Sequence, residues 1–154
     1  MADSRREQAM KNLKTVLEGI TTDNGYDLTV RNVLRLGISV DQIQGLPSIV
    51  VAEAPEDHDD ETFGPNDTAK VTNRLRVDLD CWIEKNNATH EDLNQFLANV
   101  QKAVMADRTL SGIVHDIRLV TNEHLLNEQI KPYAGVSQTI ELRYRHFSAD
   151  PFNC

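Results

Sequence analysis

Apolar residues recur along this chain with two different periods, and the switches between them predict the order of its elements. Met10, Leu13, Val16, Leu17 and Ile20 fall at helical spacing behind Ser4, and Glu7 stands three residues after that serine as the second half of a capping box. The pattern predicts an N-terminal helix over about residues 4–19. Asn24-Gly25 marks a turn, after which Leu28, Val30, Leu34 and Leu36 alternate loosely with polar residues as a first strand. Pro47 opens a second strand, Ile49 to Ala52. The clearest period-two run follows. Val71, Leu75, Val77, Leu79, Cys81 and Ile83 take one face, and Thr72, Arg74, Arg76, Asp78, Asp80 and Trp82 the other. This reading puts Trp82 on an open, charged face where its truncation is tolerated.

Thr89, with Asp92 at the N3 position, caps a second helix whose apolar stripe is Leu93, Phe96, Leu97, Val100 and Val104. Ser111-Gly112 breaks that pattern, Val114 to Val120 reads as a strand, and a polar stretch from Asn122 to Gln129 leads into a turn at Pro132 to Gly135. In the last strand Val136, Ile140, Leu142 and Tyr144 face one way, and Ser137, Thr139, Glu141, Arg143 and Arg145 the other. Helix, three strands, helix, two strands predicts an α/β (α+β) fold. It has a mixed or antiparallel sheet of about four to five strands, with two main helices packed on one face. At 154 residues the chain reads as a single domain, 1–154, that buries about two-thirds of its unfolded surface.

Charge changes this picture in one place. From Leu36 to Ala69 there are eight carboxylates and no Lys or Arg, so this window holds the whole formal net charge of −8. Most of it lies between Glu53 and Glu61, beside Pro55, Gly64 and Pro65. That composition predicts an acidic surface loop over about residues 53–67, self-repelling, solvated and unimportant for packing. Such a loop repels DNA. The first residues carry no apolar h-region, and no run of 18 apolar residues exists, so the chain reads as unexported, without a membrane span and cytoplasmic. Cys81 shares the apolar parity of its strand and reads as a buried small hydrophobe.

Catalytic signatures are missing. The glycines are never closer than six residues apart, which excludes both the dinucleotide fingerprint and the P-loop. His58, His90, His115, His124 and His146 are scattered, and no cysteine has a second one nearby, so no zinc site is expected. Ser111, His115 and Asp116 have the residue types of a triad without its glycines. The oxygens of Glu56, Asp57, Asp59, Asp60 and Glu61 suit a hard cation, but their spacing fits no calcium loop; a metal-dependent hydrolase using Asp57, His58, Asp59 and Asp60 is the distant alternative. Basic residues are dispersed and the isoelectric point is near 5.0, so no nucleic-acid stripe exists. No cofactor, metal or catalytic residue is expected. What remains is the polar face of the two best strands, where Arg74, Arg76, Glu141, Arg143 and Arg145 make either a solvated face or a subunit or partner interface.

A helix, NGYDLTVRNVLR, LPSIVVAE, the acidic loop, RLRVDLDCWIEKN, a second helix, then MADRTLSGIVHDIRLV and SQTIELRYRHFSADPF follow in that order. Over about Ile20 to Phe147 this arrangement resembles the tail terminator (tail completion) proteins of long-tailed bacteriophages. The resemblance implies a structural virion protein of the tail neck, assembled in the host cytoplasm. Its subunits form a hexameric ring on the last disc of the tail tube, stop tube growth, and offer the other side to the head connector. DNA is then passing cargo, and Glu56, Asp57, Asp59, Asp60 and Glu61 suit a lumen-facing loop. Another neck component, such as a head-tail connector or stopper, is the nearer alternative.

Overall fold

In the computed structural model, which describes residues 2–35, 42–60, 69–84, 89–125 and 133–153, the first apolar stripe folds as helix α1, Arg5–Glu18. The Ser4 side chain caps it by accepting from the Glu7 N–H at 3.2 Å. The reciprocal half of the capping box is missing because the Glu7 carboxylate is engaged by Arg35. A 3₁₀ turn, Thr22–Asn24, leads to strand β1, Asn32–Arg35. β1 is shorter than the strand expected over Leu28 to Leu36, and Leu36 lies outside the described residues.

Strands β2, Ser48–Asp60, and β3, Lys70–Glu84, precede helix α2, His90–Ala106, and strands β4, Asp116–Leu125, and β5, Tyr133–Phe147, complete the order. At the start of α2 the full capping box between Thr89 and Asp92 is made. The five strands form one mixed sheet in the order β1-β2-β3-β5-β4. β1 runs parallel to β2, and every other pairing is antiparallel. β3 and β5 pair without interruption from Lys70↔Phe147 to Glu84↔Tyr133 and form the spine of the molecule.

Both helices lie on one face of this α+β sheet. Met10, Leu13 and Leu17 of α1 and Phe96, Val100 and Val104 of α2 close over Leu75, Val77, Leu79, Cys81, Val136, Ile140 and Leu142. Full burial pushes the Cys81 thiol well above its ordinary range. Buried Gln138 has its amide satisfied by the carbonyls of Thr121 and Thr139, and its oxygen accepts from Gln101 of α2. The Thr121 carbonyl sits where β4 bulges, between Leu119 and Thr121.

Three sequence expectations are corrected here. The acidic segment is not a loop over 53–60: β2 continues to Asp60, with Pro55 in an irregularity between Glu53 and Glu56, where a missing N–H does no harm to the ladder. Residues 61–67, Glu61 included, lie outside the described residues. The polar stretch after Asn122 is strand as far as Leu125, because the edge of a sheet accepts residues that need no burial. Trp82 is buried, 7% exposed, rather than open. Part of the β1–β2 connection crosses the sheet there, and Ile43 and Val50 bury with Trp82 while Leu34, Leu46, Leu125 and Tyr133 pack around them. Gly135 lies opposite Trp82 in register, and a Cβ on it would stand 2.7 Å from the indole.

Candidate interaction surface

Strand alternation sorts the polar residues of this chain between the two sheet faces. On the helix face, Glu53, Glu56 and His58 follow the parity of β3's buried positions. Glu53 accepts from Arg6 at 2.7 Å and from Arg35 at 2.9 Å, and Arg35 also reaches both Glu7 oxygens, at 2.7 and 3.0 Å. Glu56 accepts the Tyr144 hydroxyl at 2.6 Å. Burial and then this carboxylate push the phenol well above its ordinary range. The His58 Nδ1 meets Asn73 Oδ1. The hydrogen bonds from Arg35 hold the Glu7 carboxyl below the usual range, ahead of opposing desolvation.

Among the described residues the opposite face carries no helix and is open away from the Trp82 cluster, and its cross-strand rows can be read from the register. One row runs Asp57, Arg74, Arg143, Asp116; the next runs Arg76, Glu141, Arg118. Beyond them lie Asp78 beside Thr139, and Asp80 beside Ser137 and Glu123. Arg145 pairs with Thr72 and donates to its hydroxyl at 3.0 Å. Arg74 reaches Asp59 at 2.9 Å, and Asp116 takes a two-point contact from Arg108 at 2.8 and 2.8 Å. Two arginines directly opposite each other, Arg74 and Arg143, would repel; acidic neighbours on both flanking strands offset this. The face is thus a mosaic of alternating sign at one end and acidic at the other. Burial, then the neighbouring Asp78 and Glu123, raise the Asp80 carboxyl, against a Ser137 hydrogen bond that lowers it.

Arg74, Arg76, Glu141, Arg143 and Arg145 therefore share one surface, in adjacent strands. The acidic group does not stay together. Asp57 and Asp59 belong to the open face while Glu56 and His58 turn to the helix side, so these residues neither form one lining nor converge on a cation. Among the described residues no group of three or more His, Cys, Asp or Glu is placed to hold a metal. Asp116 is engaged by Arg108, which takes the carboxylate of the nominal triad into a separate contact. Sequence reasoning missed the basic partners of the acidic strand. Arg6 and Arg35 lie 47 and 18 residues from Glu53, and no spacing links them.

Fold and surface define an α+β fold with one sheet face covered by helices and the other, away from the Trp82 cluster, charged. No helix among the described residues is long and apolar enough to cross a membrane. No protein-family model matches the chain, and comparison with curated proteins gives no match.

Proposed function

We propose that this protein is a tail terminator of a long-tailed bacteriophage, a non-enzymatic subunit of a hexameric ring that ends the tail tube and receives the head connector. The sequence resemblance motivates the reading. The observation that carries it on the structural side is the open sheet face, where Arg74, Arg76, Arg143 and Arg145 alternate with Asp57, Asp116 and Glu141. Arginine forks pair bidentately with carboxylates, and a face carrying both signs fits a partner surface in one register only. In this reading the face contacts the tube or the connector. DNA passes through the ring as unbound cargo, and the finished protein resides in the neck of the virion.

Electron microscopy of tails from a phage whose gene for this protein is interrupted tests the function. Overlong tubes are expected. Tails of normal length without heads would assign the chain to the connector or stopper instead. Arg74→Glu with Arg76→Glu tests the face: partly exposed ion pairs contribute about 0 to 1 kcal/mol, so the fold persists, while capping of purified tubes is lost. Unchanged capping by the folded double variant would assign this face to solvent.

A further inference from the structure

Among the described residues β1 and β4 are the outer strands of the sheet, and they differ. β4 presents Leu119 and Val120, 40% and 45% exposed, side by side at its bulge, beside a recess of about 280 Å³ shared with Arg118 and Glu141. Adjacent exposed aliphatic residues on an outer strand make a small apolar patch open to a contact. Leu119 pairs in register with buried Ile140, so it belongs to the helix face of the sheet, at a point where neither helix covers it. At the other edge, a groove of about 400 Å³ runs between α1 and β1, lined by Lys14, Glu18, Val30, Arg31, Val33 and neighbours. It also lies on the helix face. One edge offers an aliphatic protrusion and the other a groove with valines in its floor and Lys14, Glu18 and Arg31 at its rim.

Strand directions make the two edges compatible. β2, β3, β5 and β4 alternate in direction and β1 follows β2, so β4 runs opposite to β1. A second copy continuing the sheet with its helices on the same side would lay its β1 antiparallel to β4, the more stable pairing. The groove of the second copy would then meet Leu119. We infer that copies of this chain join head to tail through these edges, β4 of one against β1 of the next, with Leu119 and Val120 seated in the α1–β1 groove. Each subunit uses two different patches, and such a contact closes into a ring when its rotation divides the circle. The inference rests on the ring reading above and assigns its subunit contact.

Two measurements test it, both in a Cys154→Ser background so that the engineered thiols are the reactive ones beside buried Cys81. By light scattering, the wild type should hold a multiple of 17.4 kDa, and Leu119→Glu with Val120→Glu should fall to the single-chain mass with an unchanged circular-dichroism spectrum. With a short bis-maleimide, Leu119→Cys combined with Arg31→Cys in one chain should give a ladder of covalent multimers, and neither single variant should give any. A covalent dimer from Leu119→Cys alone would mean that β4 meets β4, and would overturn the inference. A multimer insensitive to the glutamates would overturn it while leaving the ring intact. Single-chain mass at every accessible concentration, with no ladder, would overturn both.

Discussion

At the residue scale, the sharpest lesson comes from Trp82 and Gly135. Parity alone assigns Trp82 to a charged face, yet the chain crossing at Ile43 turns that end of the face into a second small core. Trp82→Ala should therefore cost about 3 to 5 kcal/mol, comparable to about 2 to 5 for Leu79→Ala in the main core. Gly135→Ala should cost about 1 to 3 kcal/mol, since the added methyl meets the indole, and Trp82→Leu in the same chain should recover part of the loss. Urea melts of the four variants would check both statements. Asp80 gives a prediction of opposite sign. Its carboxyl is raised in the fold, so it favours the folded state below its unfolded value and loses that contribution as pH rises through the folded value. Asp80→Asn should accordingly stabilise at neutral pH, by no more than about 1 kcal/mol because solvent screens a half-exposed group. The gain should vanish near pH 3.8 and below; melting temperatures across that range would show it.

At the element scale, the acidic strand is held by partners rather than repelled by itself. Deleting Glu56 to Glu61 removes the rungs from Glu56↔Leu75 to Asp60↔Val71, so a lower thermal stability is expected in place of the indifference that composition suggests. Tyr144→Phe leaves the Glu56 carboxylate without its short hydrogen bond and should cost about 1 to 3 kcal/mol, read by chemical denaturation. The contrast explains which parts of the fold were legible in sequence. α1, α2, β3 and β5 follow from periodicity because each buries one full face against the others. β2 beyond Ala52 did not, since its charged half is stabilised by Arg6, Arg35 and Arg74, which come from elsewhere in the chain. The arginines of the candidate surface were legible as a face through strand parity. Their placement beside Asp57 and Asp116 was not, because register depends on the strand order.

At the scale of the whole molecule, the parts divide by face. The helix side carries the core and the ion pairs of α1, and the open side carries the charges available to a partner. On the proposed function, charge reversal on the open side should therefore spare stability and abolish capping, whereas Leu79→Ala should reduce stability and leave the capping of the folded fraction unchanged. Strand order adds a consequence in time. β5 follows β4 in the chain but lies between β3 and β4 in the sheet, so until residues 133–147 have been synthesised β3 lacks one neighbour and β4 lacks the one strand it pairs with among the described residues. A nascent chain that stops short of β5 cannot present a finished edge or face, and on the proposed function a copy would become competent to assemble only when its last long strand is inserted. A chain ended after Lys131 should accordingly accumulate as aggregate, which a sedimentation assay of the expressed chain would show. In the proposed ring, translation would thus act as a checkpoint: incomplete copies would be withheld from the growing structure by the position of one strand.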